Sequence, residues 1–296
     1  MQLRSKLPHC SRRAILALAL TAFAHTAFAA SLIGSDSAGN RLVYMKTPGT
    51  SKTMTSVGST PVAVVVGPTQ QMIYALSGKG EVHVYNPYTD TDTILAKGLS
   101  NPTDITLEPG CASILVSDVG VNKIYRINFA PLSVSVFYDG PDTIRGLIYD
   151  VNTNLFANDV SQNAVVQFSV SGLIIGQTPA ANPLIEPEGL TYDKKTNQLF
   201  ATSNTGQVIY AISDDLFTVN NIAFTGGSTL EGIVSNGSGT LYFVGGDGTN
   251  NNLYQYSTKS GTTTKQNAVT GLNRVSISPT GPCIQPLGTD STACEE

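Results

Sequence analysis

Short stretches of alternating apolar and polar residues recur along the chain, separated by turns rich in Gly, Asn, Asp and Pro. This alternation predicts β-strands. Residues 187–193 (Pro-Glu-Gly-Leu-Thr-Tyr-Asp) form the first strand of one unit, and residues 199–202 and 207–212 form the next two. A looser strand rich in Thr and Val completes the unit. No stretch predicts an amphipathic helix.

This four-strand pattern repeats with a period of about forty residues. The first strands of six units start near Val62, Thr103, Arg145, Glu188, Glu231 and Asn273, at intervals of 41 to 43 residues. Four-stranded units repeated radially form a β-propeller, in which closure of the ring hides most sheet edges. The sequence therefore predicts an all-β fold, a six-bladed β-propeller over residues 30–281.

The two ends of the repeat predict how the ring closes. The first unit begins at a second strand, residues 32–36, so its blade lacks an innermost strand. Residues 274–278 supply a spare innermost strand at the other end of the repeat. We therefore expect this late strand to complete the first blade.

The first thirty residues have the three zones of a signal peptide. A basic stretch is followed by an apolar run over residues 14–24 and by the small-residue ending Ala27-Phe28-Ala29. This pattern predicts a signal peptide over residues 1–29 and export to the periplasm or out of the cell. Arg12-Arg13 fits either a twin-arginine or a general secretory signal. No later stretch approaches the ~20 apolar residues of a membrane span.

The charge of the remaining chain narrows the choice of partners. Removal of residues 1–29 leaves 13 basic and 21 acidic residues, a net charge of −8. A negative surface with few lysines argues against nucleic acid and anionic membranes as partners. The expected partner is a small molecule, a glycan or another exported protein.

Three cysteines remain after removal of the signal peptide. Export favours disulfide formation. Cys283 and Cys294, eleven positions apart in a C-terminal tail over residues 282–296, are the natural pair. This pairing leaves Cys111 as an unreactive thiol in a turn.

The repeat resembles the NHL and SMP-30/gluconolactonase-like propellers. The resemblance rests on Pro-Glu-Gly-Leu-Thr-Tyr-Asp at 187–193, Leu-Glu-Gly-Ile at 230–233 and Leu-Val-Ser-Asp…Asn-Lys-Ile-Tyr within 115–125, and it covers residues 31–281. In lactonases of the SMP-30 type it would imply a metal held by carboxylate and amide side chains where first strands start, with a carboxylate also acting as base. Arg145 departs from that pattern, because an uncharged ligand is expected there.

The starts of the first strands share one face around the central channel, which makes this face the expected ligand site. Glu188, Glu231 and Asn273 offer two carboxylates and an amide, ligands suited to Ca²⁺ or another divalent cation. Glu188 and Glu231 are also the candidate catalytic residues. Arg145 would bind a substrate carboxylate or neutralise Glu188. The alternative is that these side chains only pair with one another and with backbone amides.

Two functions follow from this arrangement. The first is an exported propeller that binds a ligand, a glycan or a partner protein on the channel face without catalysis. The second is a lactonase or esterase that depends on a divalent metal, in which the cation polarises a carbonyl and activates water.

Other polar residues have simpler expected roles. His83 is the only histidine after residue 29, which excludes multi-histidine zinc sites, and packing is its expected role. Four aspartates end second strands and are expected to cap the following loops: Asp36, Asp118, Asp159 and Asp247.

Overall fold

The computed structural model describes residues 31–278, except for 47–49, 68, 225, 228, 247–250 and 267–270. In this part the chain forms 24 strands, numbered β1 to β24 in chain order, and one 3₁₀ turn at Ser77–Lys79. None of the helical structure described here has the length and apolar character needed to cross a membrane. The predicted signal peptide and the tail over residues 282–296 lie outside the described residues.

The strands form six antiparallel sheets of four strands, one for each blade, and the innermost strands of successive blades contact one another around a ring. From the innermost strand outwards, blade 1 consists of β24 (Leu272–Ser278), β1 (Ser31–Asp36), β2 (Arg41–Lys46) and β3 (Thr50–Ser56). Blade 2 consists of β4 (Pro61–Val66), β5 (Met72–Leu76), β6 (Glu81–Asn86) and β7 (Thr91–Lys97). Blade 3 consists of β8 (Pro102–Leu107), β9 (Ser113–Asp118), β10 (Lys123–Phe129) and β11 (Leu132–Asp139).

The other three blades follow the same order. Blade 4 consists of β12 (Ile144–Tyr149), β13 (Leu155–Asp159), β14 (Ala164–Phe168) and β15 (Ile174–Gln177). Blade 5 consists of β16 (Pro187–Asp193), β17 (Gln198–Ser203), β18 (Val208–Ser213) and β19 (Val219–Ala223). Blade 6 consists of β20 (Thr229–Ser235), β21 (Thr240–Gly246), β22 (Asn251–Ser257) and β23 (Thr262–Lys265). The predicted all-β, six-bladed propeller is confirmed.

Ring closure also follows the prediction. β24 pairs with β1 in antiparallel register, with Leu32 opposite Ile277 and Gly34 opposite Val275. The backbone N–H of Arg274 donates to Ser35 Oγ at 3.1 Å. The late strand thus completes the first blade.

The hydrophobic core is divided into six clusters, each between two neighbouring blades. Because a neighbouring blade covers each of its two faces, the second strand of a blade is buried along its length, as all residues of β9 and β13 are. This explains why apolar residues follow one another in the second strands, where a strand with one solvated face would alternate. Each blade therefore depends on both of its neighbours for burial.

We predict that shortening one side chain of the closing strand destabilises the ring. Leu272 is fully buried in the cluster between blades 6 and 1. Leu272→Ala should lower the free energy of unfolding by about 2–5 kcal/mol, through lost burial and the cavity that remains. Urea denaturation followed by circular dichroism measures the change. The matched control is Leu132→Ala, at a half-exposed position of β11, which should cost less than about 0.5 kcal/mol. Equal losses in the two variants would contradict the closure argument.

Candidate functional site

Every innermost strand has a β-bulge near its start, opposite the end of the second strand. In blade 5, two residues, Glu188 and Gly189, lie opposite one residue of the second strand, Thr202. A bulge redirects the side chain at that point of the strand. The first bulge residues of blades 1 to 6 are Asn273, Val62, Thr103, Arg145, Glu188 and Glu231. The sequence spacing therefore identified the same structural position in all six blades.

The second bulge residue is glycine in blades 4 to 6, and close packing requires it. A Cβ atom on Gly189 would lie 2.6 Å from the carbonyl oxygen of Glu231 and 2.9 Å from the backbone nitrogen of Ile233. Real Cβ atoms essentially never come this close to backbone atoms. The glycine of the Pro-Glu-Gly motif thus lets the innermost strands of blades 5 and 6 meet.

In blade 1 the second bulge residue is Arg274, and its side chain is buried at the channel. Its Nη2 donates to Glu188 Oε1 at 2.8 Å, and its Nε lies 3.8 Å from Asp104 Oδ1. A Cβ on Gly232 would lie 2.7 Å from Arg274 Cδ, so the missing side chain in blade 6 makes room for the arginine. Sequence reasoning chose Asn273 and missed Arg274. The sequence did carry a sign of its role: where blades 4 to 6 have glycine, blade 1 has the charged residue Arg274 and blade 3 has Asp104.

Glu188 has an arginine at each of its carboxylate oxygens. Arg145 donates through Nη1 to Oε2, while Arg274 donates to Oε1. Glu188 is buried, whereas about a third of the Arg145 side chain remains exposed at the channel mouth. The structure therefore brings together Arg145 and Glu188 as an ion pair and adds a second cation.

Three buried donor nitrogens of these arginines have no hydrogen-bond partner among the described residues. They are Nε of Arg145 and Nε and Nη1 of Arg274. Buried donors are costly unless an acceptor satisfies them. The ion pairs with Glu188 therefore leave part of each guanidinium group enclosed without an acceptor among the described residues.

Two further carboxyl groups face this cluster. Desolvation raises the pKa of Glu231, and the charge of Glu188 adds to the shift, while Arg274 and Arg145 oppose it. Desolvation likewise raises the pKa of Asp104, against the attraction of Arg274 and the hydrogen bond that Leu147 N–H donates at 2.8 Å. The backbone carbonyl of Glu231 accepts from Thr202 Oγ1, but its carboxyl group makes no hydrogen bond to another described residue. This carboxyl group is therefore open to a hydrogen bond from a ligand.

The predicted metal set does not suit a divalent cation in this arrangement. Glu188 and Glu231 occupy neighbouring blades and Asn273 the next, but both oxygens of Glu188 already accept from arginines. Unsatisfied arginine donors call for acceptors, and a cation beside them would be repelled. In the described part of the chain, no three His, Cys, Asp or Glu side chains are grouped closely enough to hold a metal. Metal binding and catalysis by Glu188 and Glu231 stay predictions.

The aspartates that end second strands cap loops, as predicted. Asp118 accepts the N–H of Gly120 in the following turn at 3.1 Å. It also accepts the N–H groups of Ser100 and Asn101, which precede β8, each at 2.7 Å, and this second contact was not anticipated. Asp36 accepts from Gly39 N–H and Asp159 from Gln162 N–H. Asp247 lies outside the described residues.

His83 is buried in β6 of blade 2, stacked on Tyr74 with ring centres 5.2 Å apart. Its ring nitrogens lie 2.8 Å from Asp92 Oδ2 and 3.1 Å from Glu81 Oε2. The packing role is confirmed, and the two carboxylate partners were not anticipated.

Cys111 forms a disulfide bond, so the expectation of a leftover thiol at this position is wrong. Spacing along the chain favoured two cysteines close in sequence and gave no sign of a distant partner. Cys283 and Cys294 lie outside the described residues.

Comparisons with known proteins agree on the fold alone. The structure resembles nidogen in its complex with laminin (TM-score 0.72, 14% identity, 84% of this chain and 98% of the other). It also resembles a streptogramin B lyase (TM-score 0.64, 14% identity, 84% of this chain and 87% of the other). A third similar structure is a protein of unknown function from Bacteroides caccae (TM-score 0.65, 10% identity, 84% of this chain and 98% of the other). No family model and no curated protein match the sequence, so the NHL or SMP-30 relationship is not confirmed. Fold and site together define a six-bladed β-propeller with a charged channel mouth.

The close approach at Gly189 predicts a steric effect. Gly189→Ala should destabilise the protein by about 1–3 kcal/mol, because its Cβ would collide with the backbone of blade 6. Gly176→Ala in β15 is the matched control, since its Cβ would meet no atom closer than 3.6 Å. Thermal denaturation of both variants measures the difference. Equal midpoints would show that the bulges do not need glycine.

The raised pKa of Glu231 predicts a dependence on pH. The folded state holds a proton on this carboxyl at higher pH than the unfolded chain does, so ionised Glu231 weakens folding. Glu231→Gln should therefore unfold at higher denaturant than the parent at neutral pH. This advantage in stability should shrink as the pH falls from the raised pKa of folded Glu231 towards 4.5, the ordinary pKa of a glutamate. Urea midpoints between pH 4 and 8 test this, and an advantage that grows on acidification would contradict it.

Proposed function

We propose that the protein is exported and that its propeller binds a polar ligand or partner on the channel face without catalysing a reaction. The observation that supports this most is the position of Glu188 between Arg145 and Arg274. A carboxylate held in this way helps to fix both guanidinium groups in place. Preorganised polar groups favour binding, because less conformational entropy is lost when a ligand docks.

The charge balance of the mouth indicates the chemistry of the ligand. The cluster contains two positively charged arginines, Arg145 and Arg274, and three carboxyl groups, those of Glu188, Glu231 and Asp104. Its net charge is therefore small. Arg145 and the amide of Asn273 offer donors, and Glu231 offers an acceptor or, when protonated, a donor. This combination suits hydroxyl and amide groups, as in a glycan or a peptide segment, better than a strongly charged molecule.

The structural neighbours support binding as a function of this fold. The nidogen propeller occurs in a complex with laminin, so protein recognition by such a ring has a precedent.

The competing function is the divalent-metal-dependent lactonase or esterase. It would require Glu188, Glu231 and Asn273 as ligands, with Arg145 orienting the substrate. A metal would have to displace two arginines from Glu188, which costs their charge-assisted hydrogen bonds. The contacts of Glu188 therefore favour the binding function.

Binding should depend on the exposed arginine. We expect the purified protein to retain members of a glycan or peptide panel, and Arg145→Ala to weaken that affinity about 10- to 100-fold through loss of a charged donor. Lys97→Ala, which removes an exposed cation from the outer strand β7, is the control and should change affinity little. Isothermal titration calorimetry measures both.

Melting temperatures and hydrolysis assays with and without divalent ions distinguish ligand binding from metal-dependent hydrolysis. If Ca²⁺ or Mn²⁺ raises the melting temperature and lactone or ester hydrolysis requires that ion, with loss of both in Glu231→Gln, the binding proposal is wrong and the lactonase is correct. No shift with either ion and no turnover would leave binding as the supported function.

A further inference from the structure

The outermost strand of each blade has one edge without a partner strand among the described residues. Such an edge offers a row of backbone N–H and C=O groups to which another strand can add, so proteins usually shorten it or place charges on it. Five of the six outer strands follow this rule. β3, β7 and β23 each contain a lysine, and β15 and β19 have only four and five residues.

β11, the outermost strand of blade 3, is the exception. It has eight residues, and the first seven carry no charge. Its one charged residue, Asp139, is paired with Lys123 of β10, whose Nζ lies 2.8 Å from Oδ2. The side chains of Leu132, Val134 and Val136 lie on one face of the sheet and are 55, 50 and 48% exposed. β11 therefore combines a long uncharged edge with an exposed apolar stripe.

The open part of this edge ends before Phe137. The register between β10 and β11 shifts at Phe137, which forms a bulge and has no opposite residue in β10. Gly172, in the turn between β14 and β15, lies so close to the Phe137 carbonyl oxygen that a Cβ atom would collide with it. The stretch to which a further strand can add is therefore Leu132 to Val136.

The side-chain pattern of this stretch fits a second copy of the same chain. In an antiparallel pairing about Val134, Leu132 faces Val136 of the other copy, Ser133 faces Ser135, and Val134 faces Val134. Apolar residues thus meet apolar residues, and serines meet serines. This is the self-complementarity that an interface with two-fold symmetry requires.

The charge of the protein favours the same occupant. After residue 29 the chain has 13 basic and 21 acidic residues, a net charge of −8. Two copies of an acidic chain repel each other unless they meet on a surface without charge. The stretch from Leu132 to Val136 is such a surface, and it offers no carboxylate that would select a basic partner.

We infer that two copies of this chain associate through β11, in antiparallel register about Val134, so that two four-stranded blades form one eight-stranded sheet. The outermost strand lies away from the channel. Association therefore leaves the candidate ligand site of each copy uncovered and does not depend on the proposed function. Weak, transient interfaces bury less than about 1,200 Å². A pairing of five residues belongs to this class, so monomer and dimer should exchange.

Sedimentation equilibrium of the full chain tests self-association. We expect the average mass to rise from that of one chain towards that of two over a roughly thousandfold range of concentration. A parent protein that stays monomeric over the whole range would overturn the inference and leave this edge to a strand of another protein. Growth beyond two copies would also overturn it, because a two-fold pairing closes at the dimer.

Charge substitution at the two-fold axis tests the register. Val134→Lys places two ammonium groups opposite each other and Val134→Glu two carboxylates, so each variant alone should associate at least about 10-fold more weakly. An equal mixture of the two variants should recover association, since a lysine then faces a glutamate. Only a residue that meets its own copy gives this recovery. A mixture that stays monomeric would overturn the register about Val134.

Two control variants separate this contact from a general effect of substitution. Val134→Thr keeps a β-branched, uncharged side chain and should associate as the parent does. Ile175→Lys adds a charge at an exposed position of β15 and should also associate as the parent does. Circular dichroism should show the parent fold in every variant, because both positions are at least half-exposed. Equal weakening by Ile175→Lys, or full association of Val134→Lys, would overturn the inference.

Discussion

The pairing of β24 with β1 is the contact on which the rest of the structure depends. It joins strands separated by more than 230 residues, and no hairpin turn brings them together. Each of the six core clusters lies between two blades, so an open ring would leave faces of blades 1 and 6 exposed. Loop-closure entropy grows slowly with length, whereas the burial gained at the seam is complete only when the strand is in place. Burial of the faces of blades 1 and 6, and with it the cooperative folding of the ring, therefore depends on β24.

The closing strand also assembles the candidate site. Arg274 lies in β24, and it reaches Glu188 of blade 5 and the neighbourhood of Asp104 of blade 3 only when the ring is shut. Gly232 at the bulge of blade 6 leaves the space that this long side chain fills. The charged cluster at the channel mouth is therefore complete only when the ring is closed. A ligand that binds through Arg145 and Glu188 depends on ring closure as well.

The sequence predicted the architecture well because the fold is a repeat. Turn chemistry and strand alternation recur at nearly constant spacing, so an error in one blade is corrected by the other five. The site was harder to predict, because it depends on contacts between blades. Glu188 and Arg145 were identified as a possible pair, but Arg274 was hidden beside Asn273, one residue from the position that was compared. The disulfide of Cys111 was missed because spacing along the chain favoured a bond between Cys283 and Cys294.

A buried arginine at the seam has a structural consequence that a neutral residue would not supply. Buried ion pairs add little net stability, but they can specify one arrangement over its competitors. The register of β24 is not set by a short turn to β1. A slip by one residue would turn Arg274 into the apolar cluster between blades 6 and 1 and remove Val275 and Ile277 from it. Glu188 and Asp104 would then lose their cation. We interpret Arg274 as the residue that makes a shifted register of β24 energetically unfavourable. Arg145, which is partly exposed at the channel mouth, is then the arginine of the cluster that is available to bind a ligand.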